Sequence, residues 1–180
     1  MNAAPTIHAS ALLVGARAIL IRGPAGAGKS RLVLNLLHAA ANGSLAFARL
    51  VADDRVHVVS AHGRLIARPP PALASLLEVR GLGIRQLPYE PMAVVSWVVD
   101  LDAATSSRMP ERAAAQAVIA GVTVPRLAVA RGCDPLPMVL AALTLGQPWT
   151  AAAGAAEPAG LDDRADDRTL VTTPLRAGQG

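Results

Sequence analysis

The sequence predicts a three-layer α/β domain with a central β-sheet, on three observations. A short apolar run, Ala18 to Ile21, leads through a glycine-rich turn, Gly23 to Gly28, into a segment of helical periodicity, Lys29 to Ala41. A second run, Ala48 to Ala52, has the length of a strand and stops at the pair Asp53-Asp54. A third, Val94 to Leu101, is the strongest strand candidate in the chain.

Each element has its own reason. Ala18 to Ile21 is uninterrupted and apolar, which suits a buried strand. In Lys29 to Ala41, the residues Leu32, Val33, Leu36 and Leu37 recur at helical spacing, and Asn42-Gly43 ends the helix. Val56, Val58 and Val59, followed by Leu65 and Ile66, suggest a hairpin around His62-Gly63. Pro69 to Pro71 interrupts the pattern, and Ala72 to Leu77 reads as a helical turn. Ala103 to Glu111 is polar and loop-like, Leu127 to Val129 reads as a strand, and Met138 to Leu145 as a helix. From Ala151 onward small and polar residues dominate and little is left to bury. The expected organisation is one domain over residues 1–150 and a low-complexity, disordered tail over 151–180.

Composition narrows the function classes. The chain has 180 residues, enough for one core of ordinary size. Aromatics make up 2%, so the core is built from Ala, Leu, Val and Ile, and no aromatic platform for stacking nucleic-acid bases is expected. The net charge is +4, yet the arginines are scattered without a basic block, which reads as solvated surface. Lys29 is the only lysine. The single cysteine, Cys133, has no disulfide or metal partner at useful spacing and is expected to be a buried spectator. His38, His57 and His62 read as surface residues. With no signal peptide in view and no apolar run of ~18 residues, the expectation is a cytoplasmic protein without a membrane span.

Gly23-Pro24-Ala25-Gly26-Ala27-Gly28-Lys29-Ser30 matches the phosphate-binding pattern G-x-x-x-x-G-K-[ST], and it stands between a strand and a helix, as that chemistry requires. The glycines let main-chain N–H groups wrap phosphate oxygens, and the helix adds the positive end of its dipole. Lys29 is expected at the terminal phosphates of a nucleotide and the Ser30 hydroxyl on Mg²⁺. A guanine-recognition segment of the Asn-Lys-x-Asp kind needs a second lysine, so a GTPase is excluded. Asp53 and Asp54, after the next strand, suit one metal-linked carboxylate and one general base.

Leu50 to Val56, LVADDRV, together with Glu78 to Ile84, EVRGLGI, resembles the catalytic domain of the HPr serine kinase/phosphorylase family. His8, fifteen residues before Gly23, agrees with the family's catalytic histidine, and Arg108, with Arg112 as its rival, with its catalytic arginine. The resemblance covers roughly residues 8–145 and looks like a short form without the family's N-terminal domain. It implies a phosphate-loop, kinase-like fold and an ATP- and Mg²⁺-dependent protein-serine kinase acting on the phosphocarrier HPr. The reverse removal of the phosphoryl group would use phosphate or pyrophosphate. It implies catalytic roles for His8, Lys29, Asp53, Asp54, Arg80 and Arg108, and metal binding by Ser30, Glu78 and Asp54. The second aspartate is the family's base, although the residues themselves leave the choice between Asp53 and Asp54 open. It also implies a homo-oligomer, a hexamer in the longer members. The family's second signature concerns dephosphorylation. Here that region reads Ala130-Arg131-Gly132-Cys133-Asp134 and departs from the usual pattern. Two alternatives remain beside this reading: a small-molecule kinase with a lid drawn from residues 109–131, and a nucleotide-binding regulatory module without transfer activity.

Overall fold

The computed structural model describes residues 5–104 and 113–145. Arg108 and Arg112 lie outside these residues, as does the tail from Ala151. The described chain is sheet-dominated α/β. Its strands are β1 (Thr6–Val14), β2 (Arg17–Arg22), β3 (Ala48–Ala52), β4 (Arg55–Ala61), β5 (Arg64–Arg68), β6 (Leu76–Val79), β7 (Gly83–Gln86), β8 (Ala93–Ala103), β9 (Gln116–Ile119) and β10 (Val122–Ala130). The helices are α1 (Lys29–Ala41) and α2 (Pro135–Thr144).

Three strands, β2, β8 and β10, run parallel with β8 in the middle. Their carboxyl ends form one edge, from which the glycine-rich loop leaves β2. The remaining pairings are antiparallel. The order β2-β1-β4-β5-β8 returns to β2 through the β2–β8 pairing, so these five strands close into a ring. The β4–β5 turn falls on His62-Gly63, with φ of 49° and 71°. Both central residues are left-handed, as a two-residue hairpin demands.

Two apolar clusters hold the fold. In the first, Leu32, Val33 and Leu36 of α1 and Val139 and Ala142 of α2 meet one face of the sheet at Leu12, Ile19, Ile21, Trp97, Val99 and Leu101. Each large side chain buried from α1 stabilises by roughly 1.5–3 kcal/mol relative to exposure. The second cluster, including Ala9, Ala11, Leu20, Val56, Leu65, Val95 and Val98, is drawn from strands alone. Among the described residues no helix covers this face. The sheet curls over it, and small residues such as Ala9, Ala11 and Ala18, all fully buried, fit the tight interior. Among the described residues, strands stand on that side where a three-layer arrangement would place helices.

Several elements differ from expectation. β1 was not foreseen as a strand, nor were β6, β7 and β9. Of the helical turn expected over Ala72 to Leu77, only a 3₁₀ turn at Pro71–Leu73 exists, and Leu77 sits in β6 with its side chain fully buried. The three prolines favour a tight bend, and burial of Leu77 against the first cluster draws the following residues into a strand. Cys133 is exposed, not buried, because it lies in the short turn between β10 and α2. His57 is half-buried, and its Nδ1 has no hydrogen-bond partner among the described residues. None of the described helices is long and apolar enough to cross a membrane.

Candidate active site

The site is organised by an interruption between two successive strands that pair with β1. β3 and β4 both pair antiparallel with the same edge of β1, β4 along Thr6 to His8 and β3 along Ala11 to Val14. Between them the chain kinks at Asp53-Asp54, and the β1 register shifts between Ala11 and Leu12. Asp54 takes φ of 64°, a left-handed conformation that Asp tolerates better than most side chains. The kink turns the two carboxylates into different surroundings.

Asp53 is 4% exposed and surrounded by donors. The Ser10 hydroxyl donates to it at 2.5 Å, and the Ser30 hydroxyl sits 3.0 Å and 2.9 Å from its two oxygens. The Glu78 backbone N–H donates at 3.3 Å. Asp54 is exposed and faces His8, whose Nδ1 is 3.1 Å from both the Asp54 carboxylate and its carbonyl oxygen. His8 Nε2 in turn lies 2.9 Å from the Lys29 ammonium. A protonated Lys29 can only donate, so Nε2 accepts, and in the neutral imidazole the proton is assigned to Nδ1, directed at Asp54.

Lys29 is 6% exposed. Its three N–H bonds go to His8 Nε2 and to the carbonyls of Gly23 and Pro24, both at 3.0 Å. Burial pulls its pKa below the usual lysine value, opposed by the charges of Asp53 and Asp54. The loop itself needs its glycines. Gly23 has φ of 152°, and a Cβ there would lie 3.0 Å from the Leu101 carbonyl oxygen. Gly28, at φ 93°, begins α1 without any side-chain cap, and the first turn carries no acidic residue. The first N–H groups of that helix therefore point outward without a side-chain partner, the arrangement that attracts an anion. By contrast α2 is capped, with Asp134 accepting from the Leu136 N–H at 3.2 Å.

These groups line one cleft of about 610 Å³, which holds the loop from Ala25 to Ser30, His8, Asp53, Asp54, Glu78 and Arg80. The hairpin of β6 and β7 brings Glu78 and Arg80 to its rim. Arg80 leans toward the loop, its Nη2 4.0 Å from where a Cβ on Gly26 would be. His8, Lys29, Ser30, Asp53, Asp54, Glu78 and Arg80, all singled out from the sequence, thus share one cleft. Within the expected metal set the Ser30 hydroxyl is bonded to Asp53, not to Asp54. Among the described residues no three His, Cys, Asp or Glu side chains gather as a metal cage. A hydroxyl and a carboxylate side by side are hard oxygen donors, and such a small set fits Mg²⁺ held jointly with substrate phosphates.

Two participants escaped the sequence reading. Ser10 is fully buried in β1 and holds Asp53; its only signal was a hydroxyl within an apolar run. Arg31 lies over the loop, with its Nε 3.7 Å from a Cβ position on Gly28. Just beneath the loop, Asp100 of β8 receives Arg22 at 2.7 Å and 2.8 Å and Arg126 at 2.5 Å. Burial raises the Asp100 pKa, but the hydrogen bonds and charges of the two guanidiniums outweigh it, and the net direction is downward.

Comparison with known proteins identifies the family. The family model described as HPr Serine kinase C-terminal domain matches residues 1–130. An HPr kinase/phosphorylase from Clostridium tetani is 43% identical over 70 residues, which is 39% of this chain and 21% of that protein. Another, from Clostridium beijerinckii, is 40% identical over 78 residues, 43% of this chain and 24% of the relative. The matched stretch thus spans less than a quarter of these relatives' own length. The solved structure of the Hpr(Ser) kinase/phosphatase from Coxiella burnetii superposes with a TM-score of 0.60 at 21% identity. That match covers 76% of this chain and 86% of the other, a likeness of fold. With its family match extending over residues 1–130, the chain belongs to the HPr serine kinase C-terminal domain family.

Proposed function

We propose that this domain is an ATP-dependent kinase that phosphorylates a serine of the phosphocarrier HPr, with Gly23–Ser30 as its phosphate-binding loop in a kinase-like α/β fold. One observation carries the reading: a glycine-rich loop and an uncapped helix start share a cleft with two carboxylates in unlike surroundings. The names of the relatives, HPr kinase/phosphorylase, support the activity and the partner.

The roles follow from position. Main-chain N–H groups of the loop and the start of α1 bind the phosphates. Lys29 exchanges some of its carbonyl and His8 contacts for phosphate oxygens. Ser30 and Asp53 hold Mg²⁺, with Glu78 nearby; the ion would supply neutralisation of phosphate charge. Asp54, exposed and not engaged with Ser30, accepts the proton of the serine hydroxyl. As that proton leaves, the serine oxygen bonds to the γ-phosphorus, and the bond to the bridging oxygen of ADP breaks. His8 orients Asp54. Arg80, and Arg108 from outside the described residues, neutralise the transferred group. In the reverse reaction an oxygen of inorganic phosphate would bond to the phosphorus, giving pyrophosphate, as the bond to the serine oxygen breaks and Asp54 returns the proton to that oxygen. Cytoplasmic location and assembly as a homo-oligomer accompany this reading.

The test is transfer from γ-labelled ATP, with Mg²⁺, to purified HPr and to HPr with its acceptor serine changed to alanine. Label on the first protein alone, lost with Lys29→Ala, is expected. Absence of label on HPr despite ATP binding would refute the kinase reading.

A further inference from the structure

Among the described residues, no helix covers the outer wall of the ring at β4 and β5. Val56 of β4 and Leu65 and Ala67 of β5 face the ring interior, in the second apolar cluster. Side chains alternate along a strand, so Arg55, His57 and Val59 of β4 and Arg64, Ile66 and Arg68 of β5 face outward. The register sets His57 opposite Arg68, Val59 opposite Ile66, and Ile66 opposite Val94 of β8. Val59, Ile66 and Val94 are half-buried and belong to neither apolar cluster. The buried faces of α1 and α2 lie against the first cluster instead.

We propose that this outer wall is the docking surface for the protein acceptor, which rests an acidic, partly apolar patch on it while its serine reaches Asp54. This docking rests on the kinase reading above and deepens it. The wall is basic throughout. Arg64 and Arg68 are exposed, and neither has a carboxylate at ion-pair distance among the described residues. Arg55, 54% exposed, has only Asp54, at 4.0 Å. β1, β4 and β5 contain no acidic residue. A carboxylate-bearing partner therefore complements the wall, whereas a second copy of it would set arginine against arginine. The row of Val59, Ile66 and Val94 between the arginines suits a protein surface; a phosphate backbone calls for cations alone. Position supplies the remaining argument. Arg55 follows Asp54 in the chain and stands opposite His8 in the register. His8 has Asp54 at one ring nitrogen and Lys29 at the other, so the wall adjoins the cleft on the side of the base, not of the phosphates. The seven residues of β4 carry it about 20 Å away from there, a reach suited to a folded partner.

The test is steady-state phosphorylation of purified HPr by the full chain, with ATP affinity measured by calorimetry. Arg64→Glu combined with Arg68→Glu is expected to raise KM for HPr about tenfold, with kcat and ATP affinity within about twofold. Rising ionic strength should narrow that difference, because exposed charges are screened. Arg64→Lys combined with Arg68→Lys keeps the charge and is expected to keep KM near the wild-type value. Arg17→Glu, at the end of β2 away from the loop, controls for lost basic charge and is expected to change KM by less than about twofold. An unmoved KM in the Glu variant, or an equal rise with Arg17→Glu, overturns the docking surface and leaves the kinase reading standing. Loss of self-association or of oligonucleotide binding in the Glu variant, with KM unmoved, assigns the wall to a second copy or to nucleic acid and overturns it too. Absence of label on HPr with the unaltered chain overturns both.

Discussion

Changing Asp53 to Asn replaces one oxygen with an amide that donates, among neighbours that are themselves donors. The buried carboxylate accepts from the Ser10 hydroxyl at 2.5 Å, from the Ser30 hydroxyl at 2.9 Å and 3.0 Å, and from the Glu78 N–H at 3.3 Å. A hydrogen bond to a charged group is worth about 1.5–3 kcal/mol and a neutral one about 0.5–1.5, so the two hydroxyl bonds together lose roughly 2 kcal/mol. The N–H left facing the new amide adds about 1–3 kcal/mol if it stays dry, and less here because the contact is long. The expected loss is therefore ~2–4 kcal/mol, a rise in the unfolding constant of roughly 30- to 1,000-fold. Urea unfolding followed by circular dichroism measures it as a lower midpoint at unchanged slope. A second readout comes from Lys29, the only lysine, which gives a single ε-carbon resonance after isotope labelling. Its pKa is expected below the usual lysine value, and Asp53→Asn, by removing an attractive charge, is expected to lower it further. A stability loss under ~0.5 kcal/mol would mean the three donors have other partners and that Asp53 is not held as described.

Asp54→Asn is expected to leave ATP affinity within a few-fold and to cut kcat for HPr phosphorylation about 100- to 10,000-fold, the usual worth of a general base; a defect confined to binding would remove Asp54 from that role. Gly23→Ala forces a Cβ to 3.0 Å from the Leu101 carbonyl in a left-handed backbone region, so ATP binding should be lost with the rest of the sheet intact by circular dichroism. Asp100 has a depressed pKa, so its ion pairs add stability above the unfolded carboxylate pKa of about 4, and that stability drains away as pH falls through the lower folded value. The wild-type midpoint should thus fall in acid more steeply than that of Asp100→Asn, which is already less stable at neutral pH; parallel acid profiles would refute the assignment.

Local features were legible and long-range ones were not. Lys29 to Ala41 and Ala48 to Ala52 are helix and strand at those bounds, because periodicity, a glycine start and an Asp-Asp stop are written in neighbouring residues. The hairpin at His62-Gly63 followed from its turn residues. β1 was missed because Ala9, Ser10 and Ala11 have weak strand preference; Ala9 and Ala11 suit the narrow ring interior and Ser10 its bond to Asp53, none of which the local chain announces. The ring needs β2 to find β8, and no periodicity announces a pairing across that distance. The cluster of His8, Lys29, Ser30, Asp53 and Asp54 was foreseen as a set because motif and spacing mark it. Ser10, which touches Asp53 across 43 residues of chain, carries no such mark. The division between a buried Asp53 and an exposed Asp54 depends on the kink between β3 and β4, and two adjacent letters of the same amino acid cannot record it.

Closure of the five-strand ring also bears on the order in which the polypeptide is made. β2 leaves the ribosome ahead of the strand that supports it, joined through Arg22 and Asp100, which follows 78 residues later. At ~5–20 residues per second of synthesis, that interval is roughly 4 to 16 seconds. Throughout it the nascent chain exposes an apolar strand edge, which a holdase chaperone would shield, and the loop at its end lacks its floor. The glycine-rich loop therefore gains its support only once β8 has emerged and docked.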